Sequence, residues 1–103
     1  MHPLLDDEGY LADHRQWSEE TAHWLAGLEH IELADSHWQL IAWVREYFQT
    51  FDHAPAMRPL VNWLKLKGGP EIGNSRYLHR HFPISPAKQL ARIAGLPKPT
   101  KCL

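Results

Sequence analysis

Apolar positions recur along this chain in short blocks of helical period, and each block is bounded by residues that start or stop helices. Ser18 stands as an N-cap, with Glu19 and Glu20 in the first turn where acids complement the helix dipole. Ala22, Leu25, Ala26 and Leu28 follow near helical spacing, which predicts a helix ending at about Glu29 or His30. A second helix starts at Ser36. Its stripe of Leu40, Ile41, Val44, Tyr47, Phe48 and Phe51 has a period near 3.6 and is widened by Trp38 and Trp43. Asp52-His53-Ala54-Pro55 interrupts it, because proline disfavours helix in the residue before it. Met57, Leu60, Val61 and Leu64 then share one face of a third helix, with Pro59 tolerated in the first turn and Gly68-Gly69-Pro70 as the stop. A short helix is predicted over Ser75–His81, ended by Phe82-Pro83. The last helix has Ser85 to cap it, Pro86 at its first position and Gly95 at C′, with Leu90, Ile93 and Ala94 as an apolar edge. Before the first helix, Gly9-Tyr10-Leu11 reads as a turn into a short strand, hence a small hairpin. After Gly95, two prolines at alternate positions favour an extended arm.

The chain of 103 residues fits one domain over residues 1–95, with residues 96–103 as the arm. Five Trp supply large core side chains, so a core is feasible without disulfides or a metal. No apolar run reaches the roughly 18 residues needed to span a bilayer. The acidic N-terminal stretch does not read as a secretory signal, and a single cysteine excludes an internal disulfide, so a cytoplasmic location is expected.

Net charge is −1, but it is unevenly spread. Residues 1–52 carry eleven acids against two bases, Arg15 and Arg45; residues 53–103 carry nine bases against one acid, Glu71. Such a dipolar chain either ties its own halves together or presents one half to an oppositely charged partner. Arg76, Arg80, Lys88 and Arg92 are the candidate docking residues. DNA binding through a helix-turn-helix is a competing reading, yet the sequence pI is about 6.7 and the acidic half would repel phosphate.

Cys102 is the only cysteine, one residue from the end and beyond two prolines, a place hard to bury in the domain's own core. That leaves an inert exposed thiol or a working one. Lys98 and Lys101 supply positive charge that favours the thiolate, opposed by the terminal carboxylate. From Gly95 an extended arm reaches roughly 20 Å at about 3.1 Å per residue, enough to enter a partner's pocket. Pro97 and Pro99 limit its freedom and so lower the entropy lost on insertion. A cysteine so placed has no fixed base or oxyanion donors of its own. Carrying a group between two sites needs less: a nucleophilic sulfur on a tether, with sulfur moving by thiolate attack on a sulfur–sulfur bond.

Histidine is frequent, at positions 2, 14, 23, 30, 37, 53, 79 and 81, but no pair has i,i+4 spacing. These read as surface residues, and no metal or cofactor is expected. The aromatic stripe reads as core, and Gly68-Gly69-Pro70 lacks the lysine and spacing of a phosphate-binding loop.

Several stretches resemble the TusE/DsrC family. They are Gly73-Asn74-Ser75-Arg76-Tyr77-Leu78, Phe82-Pro83, Pro86-Ala87-Lys88-Gln89 and the run from Ala94-Gly95-Leu96-Pro97-Lys98-Pro99 to Cys102. Pro55-Ala56-Met57-Arg58-Pro59-Leu60-Val61, Gly9-Tyr10-Leu11 and Trp17-Ser18 also match. The resemblance implies a mainly α fold, a small orthogonal helical bundle with a short N-terminal β-hairpin and a mobile extended C-terminal arm. DsrC-type members carry a second arm cysteine eleven residues before the penultimate one, and the two form a redox pair working with a sirohaem sulfite reductase. Here that position is Ala91, which points to the TusE-like branch. The resemblance then implies a sulfurtransferase whose Cys102 takes sulfane sulfur from a TusBCD-like complex. It passes that sulfur to an MnmA-like enzyme that thiolates the wobble uridine of tRNA. The alternatives are a DsrC-like non-catalytic partner or regulatory subunit of a sulfite reductase, or a DNA-binding regulator.

Overall fold

The structure is a computed structural model in which residues 2–99 are described. Five helices follow a 3-10 turn at His14–Gln16: α1 (Glu19–Leu28), α2 (Asp35–Phe51), α3 (Met57–Gly68), α4 (Ser75–His81) and α5 (Pro86–Ile93). Their arrangement centres on α5, which packs against each of the other four. Leu90 and Ile93 of α5 are fully buried among Leu25, Leu40, Leu64 and Phe82, one from each surrounding helix or its end. Truncating such a side chain to Ala costs about 2–5 kcal/mol, so the element from which the arm departs is firmly anchored in the core.

The helix ends are set locally. Ser18 Oγ accepts the N–H of Thr21, and Asn74 Oδ1 accepts that of Tyr77 at 2.8 Å, satisfying donors that the first turn leaves open. In α2, His37 Nδ1 reaches back to accept the N–H of Ala34 at 3.0 Å. Asp52 closes the same helix in the left-handed region, at φ 59°. The turn after α3 presses Gly73 onto the α3 backbone, where a Cβ would lie 2.2 Å from the Lys65 nitrogen.

Two expectations are corrected. The N-terminal hairpin does not form: Leu5 and Leu11 make one isolated antiparallel bridge, and no strand is present among the described residues. Asp6 explains why. Its carboxylate accepts the N–H groups of Glu8 and Tyr10 at 2.9 and 3.0 Å, closing a tight loop. Asp13 then caps the 3-10 turn directly after Ala12, so no residues are left to extend a ladder. The second correction concerns α5. Ser85 occupies the N-cap position, but its side chain makes no capping bond. Gln89, 1% exposed, turns back instead, and its Oε1 accepts the N–H groups of Ile84 and Ser85 at 3.1 and 3.2 Å. Leu96, which the sequence assigns to the arm, is packed in the core at 2% exposure.

Candidate functional site

The described part of the arm runs from Leu96 to Pro99; Lys101 and Cys102 lie outside the described residues. Its root is the C-terminus of α5, where four carbonyls lack partners within the helix. All four are accounted for. The N–H of Leu96 donates to Ala91 O at 2.9 Å and that of Gly95 to Arg92 O at 3.2 Å. With Gly95 at φ 76°, these two bonds are a Schellman motif, accompanied by the burial of Leu96. The remaining pair is satisfied from distant parts of the chain. Trp17 Nε1 donates to Ile93 O at 2.9 Å, and an Arg45 terminal nitrogen donates to Ala94 O at 2.6 Å.

Trp17 and Arg45 also hold each other. The guanidinium lies 3.8 Å from the centre of the Trp17 ring. Burial pulls the pKa of Arg45 down from its ordinary value, and no described carboxylate pairs with it. Its charge faces the negative end of the α5 dipole instead. Gly95 is seated on Trp17 so closely that a Cβ would meet the indole at 2.3 Å. Two grooves flank this stack. One of about 230 Å³ runs between Phe48, Gln49 and Leu96; one of about 610 Å³ runs between Trp38, Ile41 and Glu19.

Of the arm residues, Pro97 is exposed, and Lys98 donates to Glu8 Oε2 at 2.8 Å. That contact holds the Lys98 pKa above its ordinary value, but the pair is open to solvent and contributes little. The four candidate docking residues are split. Arg76 and Arg80 are exposed on α4 and border a shallow hollow with Asn74 and Ser75. Lys88 is exposed on α5, and none of these three pairs with a described carboxylate. Arg92 is engaged within the chain: its Nε and a terminal nitrogen bind both Glu29 oxygens at 3.2 and 2.9 Å. Its guanidinium also lies 5.4 Å from the Tyr10 ring centre.

Several histidines make internal contacts. His81 Nε2 and Ser36 Oγ are 2.7 Å apart, and His37 Nε2 contacts His81 O at 3.1 Å, tying the start of α2 to the end of α4. His2 stacks on Trp24 at 4.2 Å. Among the described residues no group of three or more His, Cys, Asp or Glu side chains converges as a metal would need. Sequence reasoning missed Trp17 and Arg45 as site residues. The one signal for Arg45 was its isolation, a base in a half with eleven acids.

Known proteins agree with this architecture over nearly its whole length. The family model described as DsrC like protein matches residues 2–103. Sulfurtransferase TusE from Salmonella choleraesuis is 53% identical over 98 residues, covering 95% of this chain and 90% of the relative. The TusE homolog of Haemophilus influenzae is 50% identical over the same shares. Among solved structures, Allochromatium vinosum DsrC superposes with TM-score 0.87 at 44% identity, covering 96% of this chain and 88% of that one. The oxidised gamma-subunit of the dissimilatory sulfite reductase (DsrC) from Archaeoglobus fulgidus gives 0.83 at 42%, with 98% and 92% covered. No helix here is long and apolar enough to cross a membrane among the described residues. With a shared fold and half its residues in common with named sulfurtransferases, this chain belongs to the TusE/DsrC family and is a sulfurtransferase.

Proposed function

We propose that the protein is a cytoplasmic sulfur-relay carrier. Cys102 accepts sulfane sulfur as a persulfide and delivers it to an MnmA-like enzyme that forms 2-thiouridine at the tRNA wobble position. A TusBCD-like complex is the donor. The observation that carries this reading is likeness to TusE sulfurtransferases over 95% of the chain, in a sequence whose one cysteine is Cys102.

The chemistry needs no cofactor and no net oxidant. The Cys102 thiolate attacks the outer sulfur of the donor's persulfide. A new S–S bond forms on Cys102, the donor's S–S bond breaks, and the donor leaves as its thiolate. Delivery repeats the exchange with the acceptor's thiolate attacking and Cys102 leaving. Lys98 and Lys101 favour the thiolate by charge, and Pro97 and Pro99 keep the arm extended. Arg76, Arg80 and Lys88, whose charge is uncommitted among the described residues, dock acidic partners.

The likeness to sulfite-reductase gamma-subunits supports a second reading, a binding partner without carrier chemistry. Ala91 weighs against it. Position 91 is 1% exposed in the core of α5 and holds no thiol, so an arm disulfide of the DsrC type has no second cysteine.

Intact-mass spectrometry separates the two. Wild type and Cys102→Ser are incubated with a cysteine desulfurase, relay proteins and cysteine. One added sulfur on wild type, removable by reductant and absent from the variant, is the expected outcome. An unmodified, free thiol beside a demonstrably active donor would sink the relay reading.

A further inference from the structure

We propose that Trp17 and Arg45 are positioning residues for sulfur transfer: together they clamp the last two carbonyls of α5 and so set the direction in which the arm leaves the body. This rests on the carrier reading of Cys102. Neither residue touches the sulfur; both act through the arm's root.

Three observations point the same way. First, the clamp reaches the root from far along the chain. Ile93 O and Ala94 O are the two carbonyls the Schellman motif leaves open, and water would satisfy them at an exposed helix end. Here they are taken by an indole from the segment before α1 and a guanidinium from α2, themselves stacked at 3.8 Å. Second, Gly95 is held twice over. Its φ of 76° is one that side chains rarely adopt, and Trp17 fills the space a Cβ would need. Third, Arg45 is a half-buried cation without a described carboxylate partner. Desolvating a guanidinium is costly, and a helix that needed only packing on this face would place an apolar residue there. Its return is one carbonyl at the end of the helix dipole.

The consequence is a matter of leverage. If the chain from Leu96 to Cys102 were extended it would span roughly 19 Å; a tilt of about 10° at its root would then displace the tip by about 3 Å, and misplacement of about 1 Å can cost a reaction roughly 100-fold. Fixing the root therefore raises the fraction of docked encounters in which the sulfur is aimed correctly. Docking itself, made by the body, is untouched.

A matched pair of variants tests this. Trp17→Phe keeps an aromatic ring beneath Arg45 but deletes the indole N–H to Ile93 O. Trp63→Phe makes the same chemical change elsewhere, deleting the N–H donated to Trp43 O at 2.8 Å. Two readouts are needed. Amide order parameters of Gly95, Leu96 and Lys98 report the root without any sulfur chemistry. Single-turnover transfer from the persulfidated chain to increasing concentrations of an MnmA-like acceptor separates the saturating rate from the half-saturating concentration. Trp17→Phe is expected to lower the order parameters and to slow the saturating rate about 3- to 10-fold, with half-saturation unchanged; Trp63→Phe is expected to do neither. Equal behaviour of the two variants overturns the proposal. So do lowered order parameters with an unchanged saturating rate. A wild-type chain that takes up no sulfur ends the carrier reading instead, and the order parameters still decide whether the clamp exists.

Discussion

His37 shows how one side chain can make helix capping depend on pH. Its Nδ1 accepts the Ala34 N–H, which requires that nitrogen to be unprotonated and places the proton on Nε2, facing His81 O. The neutral ring is thus satisfied at both ends. The cation would turn Nδ1–H against an N–H donor, with the His81 ring only 4.7 Å away. Burial, chiefly, holds the His37 pKa below its ordinary value, and the His81 ring adds to this while the bond to His81 O opposes it. The unfolded chain therefore binds a proton at higher pH than the folded one. The stability due to neutral His37 is complete above about pH 6.5, the unfolded value, and is lost as pH falls through the lower folded value. Urea midpoints should fall from pH 7.5 to pH 5, and His37→Gln, which cannot titrate, should flatten that dependence. An identical slope in the variant would assign the effect to other groups. This tie was invisible in the sequence, where eight histidines without metal spacing read as surface residues; His37 joins positions 44 residues apart.

Helices were legible because their punctuation is local. Ser18 before two glutamates, Pro86 at a first position and Gly95 at a last one each act within a turn of their own helix, and the structure uses all three. What failed were features whose partners lie outside such a window or compete within it. The hairpin was suggested by Gly9-Tyr10-Leu11 as a turn into a short strand, but the Asp6 carboxylate takes the amides of Glu8 and Tyr10 and closes a tight loop there. At α5 the cap position was legible and the capping group was not. Ser85 has the favoured side chain, yet Gln89 supplies the acceptor from inside the helix. The two substitutions should therefore invert the usual expectation for an N-cap. Ser85→Ala should change stability by less than about 0.5 kcal/mol, whereas Gln89→Ala leaves two donors without their acceptor and should cost about 1–3 kcal/mol. Chemical denaturation of both proteins at one pH is sufficient. A larger loss at Ser85 than at Gln89 would contradict the assignment. The arm's root belongs with these cases: Gly95 was readable as a stop, but the clamp that fixes its direction joins residues 76 and 49 positions apart.

At the scale of the whole molecule, the structure separates, residue by residue, the charges that tie the acidic half to the basic half from those that meet no described carboxylate. Glu8 with Lys98, Glu29 with Arg92 and Glu46 with Lys67 each join the acidic half to the basic half. Only the Glu29–Arg92 pair is bidentate with both side chains largely covered, about 20% exposed. Arg92→Met should therefore destabilise the fold by about 1–3 kcal/mol, because it strands a mostly buried carboxylate. This role was not separable in the sequence, where Arg92 and Lys88 form one basic i,i+4 pair; whether a charge faces Glu29 or solvent depends on how α5 is seated. Arg76 and Arg80 bind no described carboxylate, so their charge is available to a partner. Reversing both, Arg76→Glu with Arg80→Glu, should leave the melting temperature within a degree or two, since the side chains are exposed. In the transfer assay the same reversal should raise the half-saturating acceptor concentration by roughly 3- to 10-fold at low salt and flatten its salt dependence. The saturating rate should hold, because a docked complex still receives a correctly aimed arm. The two sets of variants should thus move different parameters: on the proposed reading, charge on α4 sets how often carrier and acceptor meet, and the clamp at the end of α5 sets how often a meeting succeeds. If reversal on α4 lowered the saturating rate and spared half-saturation, the basic face would belong to the aiming step, and docking would have to be sought elsewhere on the body.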